Sequence, residues 1–249
     1  MSHKFIYVHT ELKLPALCAG SFFGGIMENQ NKKTKQPDVK KLVGMATFAA
    51  LAYAVTFVFR IPVQFLTFDA KDAILTIAAF IYGPLAAIIM SLIPALIEFI
   101  TISDTGFWGF LMNFCSSAAF SFTASLIYKY KRSFNGAIIG LYAAVIITTA
   151  VMIPLNLFIT PIYMGVPRSV VVDFLPTLIL PFNLAKSLMN AAITMLIYKP
   201  VSIAMKRARL IPGSVDVKFN KQSVIMLIIG ALTLAVAITV FMILRANGQ

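Results

Sequence analysis

Seven apolar runs, each cut off from the next by charge, proline or glycine, leave this chain few ways to fold; they occupy residues 42–59, 73–82, 85–102, 107–128, 137–163, 175–205 and 224–244. A hydrocarbon layer about 30 Å thick takes roughly 20 apolar residues as a helix. Within it every backbone amide has to be satisfied inside the segment, so such runs are expected to be membrane helices. The run at 73–82 is short, and Gly83-Pro84 breaks the chain behind it, which reads as a short helix joined to its successor by a tight turn. The expected fold class is an all-α integral membrane protein: a basic segment at 1–40, a six-helix bundle at 41–205, a basic linker at 206–221 and an additional transmembrane helix at 222–249. With 59% hydrophobic and 12% charged residues, no water-soluble globule could hide this surface.

The positive charges support that division. A formal charge of +12 would suggest nucleic acid in a soluble protein, but here the cations sort by loop. Lys32, Lys33, Lys35, Lys40, Lys41, Lys129, Lys131, Arg132, Lys199, Lys206, Arg207, Arg209, Lys218 and Lys221 fall on one side of the predicted spans. Arg60, Lys71, Arg168 and Arg245 fall on the other. Lysine and arginine accumulate in cytoplasmic loops, so a cytoplasmic N-terminus in a bacterial cell membrane is expected, with 60–71, 103–106 and 165–173 facing outward, Gln249 outside, and no nucleic-acid partner. Residues 1–26 lack the pattern of a signal peptide. Met27, just after Gly24-Gly25-Ile26, is the expected biological start; the other reading is a genuine extension, and N-terminal sequencing separates the two.

Several chemistries lack their residues. The only histidines are His3 and His9, and Cys18 and Cys115 form no metal-ligand spacing, so no metal centre, haem or disulfide is expected. No phosphate-binding loop, H-E-x-x-H or G-x-S-x-G motif occurs. Glu98 is the one acid inside an apolar run, and no ladder of buried carboxylates is expected. A chain with these absences binds rather than reacts, and draws its energy from elsewhere.

Four features point to what it binds. Ala46, Ala50 and Ala54 share one face of the first helix, suited either to a partner's close approach or to packing within the bundle. The loop at 60–72 offers Phe65, Leu66 and Phe68 to cover an apolar surface and Gln64, Thr67 and Asp69 to hydrogen-bond. It also reads as an interfacial loop, with Asp69 and Asp72 capping the next helix. In Leu180-Pro-Phe-Asn-Leu-Ala-Lys186, Asn183 and Lys186 lie on one helical face. A lysine in hydrocarbon is costly and is expected to face the interior or snorkel out. Asn113, Asn156 and Asn190 add amides that serve either a ligand or neighbouring helices. Together these groups suit a neutral or weakly acidic heterocycle whose faces are covered by Phe and Leu.

In this order and spacing the residues resemble the substrate-binding S components of energy-coupling-factor (ECF) vitamin transporters, in their riboflavin-specific branch. The resemblance runs over about 41–205, carried by Ala46/Ala50/Ala54, Phe65-Leu-Thr-Phe-Asp69 with Asp72, Phe80-Ile-Tyr-Gly-Pro84 and Pro181-Phe-Asn-x-x-Lys186. It implies a non-enzymatic six-helix subunit that captures extracellular riboflavin and works with a transmembrane coupling subunit and two cytoplasmic ATPases. It assigns Ala46, Ala50 and Ala54 to the coupling contact, Asn156, Asn183 and Lys186 to the flavin ring edge, and Gln64, Phe65, Leu66, Thr67 and Asp69 to a loop closing over the ligand. Asn113 is a further match. Along the third helix the family's Glu, Lys, Asn and His are replaced by Ser91, Pro94, Ala95 and Glu98, and the seventh run has no counterpart. FMN or FAD uptake therefore stays open, with Arg60, Lys71 and Arg168 as phosphate partners. So does a membrane flavin-using redox or assembly subunit.

Overall fold

The computed structural model describes residues 39–103, 105–207 and 221–247. The expected start at Met27, the basic residues before 39 and all but the ends of the linker expected at 206–221 lie outside these. Helix α1 (Val39–Val58) leads into a hairpin of β1 (Ile61–Val63) and β2 (Leu66–Phe68), then α2 (Lys71–Tyr82), α3 (Pro84–Thr101), α4 (Gly106–Tyr130) and α5 (Phe134–Met164). After α5 come α6 (Arg168–Phe174), a π-helical turn (Leu175–Ile179), α7 (Leu180–Arg207) and α8 (Lys221–Asn247). Among the described residues, six helices are long and apolar enough to cross a membrane: α1, α3, α4, α5, the continuous run Arg168–Val201, and α8. With the short α2 they make the expected bundle and its additional helix.

The 12 residues of α2 rise only about 18 Å, well short of the hydrocarbon thickness. The helix is tolerated because it is enclosed: α1, α3, α4 and α7 all pack on it, and Ala73, Leu75, Ile77, Ala78 and Ala79 are almost fully buried. It ends at Gly83, whose φ of 95° is disfavoured for any residue with a Cβ. Gly83 N–H donates to the Ala79 carbonyl at 2.8 Å, and Pro84 opens α3, where a missing N–H costs nothing.

Two segments differ from the sequence reading. The loop at 60–72 contains a hairpin in antiparallel register, Ile61 opposite Phe68 and Val63 opposite Leu66, so that Val63, Leu66 and Phe68 turn inward and are buried. Residues 165–173, expected as an outer loop, are mostly the helix α6, which runs on into α7. Pro176 and Pro181 each remove an N–H from that run, and the local π turn absorbs the break in hydrogen-bond register.

Packing between helices relies on close approach. At Gly140 of α5 an added Cβ would lie 2.7 Å from the backbone oxygen of Ala124 in α4, the small-residue contact by which helices associate where lipid supplies no hydrophobic force. On α1, Met45, Phe48, Ala49 and Ala52 are buried, whereas Ala46, Ala50 and Ala54 are exposed. The alanine face is therefore not used for packing within the described residues.

Gly140→Ala is expected to push α4 and α5 apart and destabilise the detergent-purified protein by about 1–3 kcal/mol, the usual cost of overpacking. Ile146→Ala, at a residue 69% exposed on the same helix, is the reference change. A thermal-unfolding midpoint lowered by the first and not by the second is the outcome to look for.

Candidate functional site

The hairpin end of the bundle holds a cavity of about 420 Å³, within the range of roughly 300–1,000 Å³ typical of small-molecule sites. Gln64, Phe65, Leu66, Thr67 and Asp69 contribute from the hairpin segment, Glu98 and Phe99 from α3, and Phe110, Met112 and Asn113 from α4. Met152 and Tyr163 of α5 and Phe182, Asn183 and Lys186 of α7 complete the wall. Every residue that the resemblance assigns to the ligand lines this cavity except Asn156, and Phe68 and Asn190 lie outside its wall as well. The Asn156 amide is fully buried within α5, donating to the Met152 carbonyl at 2.8 Å and accepting from the Thr160 hydroxyl at 3.1 Å.

The hairpin turns at Gln64 with φ of 52°. Two-residue hairpin turns need such left-handed geometry to match strand twist and ordinarily place Gly, Asn or Asp there. Gln64 accepts the strain at a position that lines the cavity, the kind of place where strain and function coincide. Phe65 then points its ring toward Tyr163 and Phe174, with centroids 6.4 and 6.0 Å away, fastening the turn to α5 and α6.

Beneath the hairpin lies a cluster of charge. Lys186 Nζ donates to Asp69 Oδ2 at 2.8 Å and to the Thr67 carbonyl at 3.3 Å. Lys71 Nζ donates to both oxygens of Glu98, each at 2.7 Å, and lies 3.8 Å from Asp69. Asp72 accepts from the Ser117 hydroxyl at 2.5 Å. All five charged residues are buried. Burial by itself pushes the Asp69 carboxyl up, but the Lys186 and Lys71 ammoniums outweigh it and hold the group below the ordinary carboxylate range.

This cluster bears on the sequence reading at several points. Lys186 faces the interior, as one reading of its position held, where it lines the cavity and is paired with Asp69. Lys71, read as an outward-facing cation, is 1% exposed and engaged by Glu98, so it offers nothing to a phosphate. Buried carboxylates, read as absent apart from Glu98, are gathered here as Asp69, Asp72 and Glu98. Asp69 serves the start of α2 as the capping reading held, its Oδ1 accepting from the Lys71 N–H at 3.3 Å from just before the N-cap position Ala70, and Asp72 lies in the first turn. The signal in the sequence was the spacing Asp69-x-Lys71-Asp72, but its partner Glu98 is 27 residues away, and no local pattern connects them.

The asparagines divide by role. Asn190 Oδ1 accepts from Ala73 N–H at 3.0 Å and its Nδ2 donates to the Asp69 and Lys186 carbonyls, each at 3.1 Å, so it ties the start of α2 to α7. Asn113 donates to Glu98 Oε2 at 3.2 Å. Asn183 donates back to the Ile179 carbonyl at 2.8 Å, where the π turn meets α7, and presents the rest of its amide at the cavity wall. The result is an aromatic chamber with carboxamides and a matched ion pair grouped at one side. Arg60 also lines the cavity and donates to the Ile102 carbonyl, whereas Arg168 stacks over Phe158 at 4.9 Å away from it.

Comparisons with known proteins agree with this architecture. Residues 40–198 match the family described as ECF transporter, substrate-specific component. A protein of Staphylococcus aureus (strain TCH60) called riboflavin transporter RibU is 32% identical over 190 residues, covering 72% of this chain and 99% of that protein. A solved structure described as the S component of a bacterial ECF transporter superposes with a TM-score of 0.58 at 32% identity, over 68% of this chain and 98% of the other. The bundle, the hairpin-covered chamber and the extent of these matches establish that the chain belongs to the substrate-specific components of ECF transporters.

Proposed function

We propose that this chain captures riboflavin from outside the cell and presents it for uptake powered by partner subunits. The observation that carries the reading is the cavity. Phe65, Phe99, Phe110, Tyr163 and Phe182 suit the flat faces of a tricyclic ring, while Asn113, Asn183 and the Asp69–Lys186 pair set donors and acceptors side by side for its pyrimidine edge. The likeness to a riboflavin transporter at 32% identity supports the same ligand. Phosphorylated flavins fit the charge less well. The wall carries Asp69 and Glu98, Lys186 is already paired, and of Arg60, Lys71 and Arg168 only Arg60 reaches the cavity. Binding requires no chemical step, so the chain acts as a receptor and not as an enzyme.

In this reading the bundle sits in the bacterial cell membrane with its N-terminus in the cytoplasm and the hairpin outward, following the distribution of lysine and arginine. The chain has no phosphate-binding loop of its own, so a transmembrane coupling subunit and two cytoplasmic ATPases supply the work. The exposed Ala46, Ala50 and Ala54 are the surface for that contact: a helix face of methyl groups lets another helix come close.

Titration of the purified chain with riboflavin, FMN and FAD, followed by quenching of flavin fluorescence, is expected to rank riboflavin tightest; no binding of any of them refutes the proposal. Asn183→Leu should weaken riboflavin by about 1–3 kcal/mol, the cost of leaving a polar ligand group unpaired. Lys186→Leu should weaken riboflavin by a similar amount and, because it strands the Asp69 carboxylate, should also destabilise the folded chain by about 3–5 kcal/mol, read as a lowered thermal-unfolding midpoint. Equal affinities in wild type and both variants would place the ligand elsewhere. Ala50→Trp should leave flavin binding intact while abolishing uptake into cells that contain the partner subunits; undiminished uptake would free that face of its assigned role.

A further inference from the structure

The family match ends at residue 198 and α8 begins at Lys221, so the family pattern gives this helix no task. We propose that α8 is a strut that holds the β1–β2 hairpin down over the cavity and thereby slows ligand release. The inference rests on the reading of the hairpin as the ligand's cover.

Its contacts run the length of the bundle. Near its start, Met226 is buried in a cluster with Phe120, Leu141 and Met195. Midway, Gly230 lets the backbone come so near α7 that an added Cβ would lie 3.1 Å from that of Met195, and the Thr233 and Tyr142 hydroxyls are hydrogen-bonded at 2.6 Å. At the far end Phe241 and Leu244 share a cluster with Val63, Leu66 and Phe68 of the hairpin. The Phe68 and Phe241 rings meet edge to face, with centroids 5.3 Å apart. Leu232, Val236 and Met242 of the same helix are exposed, so one face is docked and the other is left for lipid.

The hairpin needs such support. Two strands of three residues are marginal by themselves. Val63, Leu66 and Phe68 share the inward face, and Leu66 belongs both to the cavity wall and to the cluster that α8 completes. Lifting the hairpin therefore means separating Phe68 from Phe241 as well as Asp69 from Lys186. The first contact depends on shape and dispersion, because lipid offers apolar side chains nearly as good a medium.

The test uses the full chain in lipid nanodiscs with the double change Phe241→Ala and Leu244→Ala, Phe241→Leu as a milder variant that keeps the bulk but loses the ring, and Leu232→Ala on the lipid face. Hydrogen exchange of the hairpin amides without ligand, and the rate of riboflavin release, should each accelerate about ten-fold in the double variant and less in Phe241→Leu, with Leu232→Ala unchanged. Hairpin exchange unaltered in both Phe241 variants overturns the strut. Faster exchange with unaltered riboflavin release overturns its effect on retention. If the wild-type chain binds no flavin, the functional reading fails instead, and the exchange comparison still decides whether α8 braces the hairpin.

Discussion

The Asp69–Lys186 ion pair is the contact around which the site is arranged. Its two members come from the hairpin segment and from α7, 117 positions apart in the chain, and both are buried. An ion pair in such surroundings adds little to stability compared with a packed apolar pair, but breaking it leaves a charge that the interior cannot solvate. The pair therefore fixes position more than it adds strength. Lys186 cannot leave α7, so Asp69, the adjoining end of the hairpin and the first turn of α2 are held at one height. Asn190 repeats the constraint with neutral bonds to both sides of the same junction.

Lys71 and Glu98 do the same between α2 and α3, so the three elements under the hairpin are linked through charge, while α4 joins them through neutral donors, Ser117 to Asp72 and Asn113 to Glu98. This division explains how a polar cavity survives in a membrane protein. The ionised groups satisfy one another at the cavity floor, and the walls above present aromatic rings with a few carboxamides. A ligand entering it meets donors and acceptors already oriented, which limits the ordering cost of binding.

Much of the fold was legible in the sequence because the hydrocarbon layer imposes a length that apolar runs display directly. The turn at Gly83-Pro84, the separate last helix and the alanine face of α1 could all be read from local residues. The cavity residues were legible as types, since a lysine and asparagines in apolar runs call for a reason. Their partners were not: Asp69 looked like a ligand group and Lys71 like a surface cation, and only the folded chain puts them beside Lys186 and Glu98. Asn156 is an equally conspicuous amide whose hydrogen bonds in the fold run within its own helix, to Met152 and Thr160, which its position in the sequence does not reveal. The hairpin was hidden because its strands are three residues long, too few for an alternating pattern to stand out.

The brevity of α2 carries a consequence for the membrane itself. A helix of about 18 Å is well short of the hydrocarbon thickness, and the hairpin directly precedes its first turn. Raising it would open a wet funnel reaching down to the buried carboxylates, leaving only the remainder of α2 and its close-packed neighbours between that water and the opposite face. The same few residues that hold the hairpin down thus also set how far water reaches into the bundle.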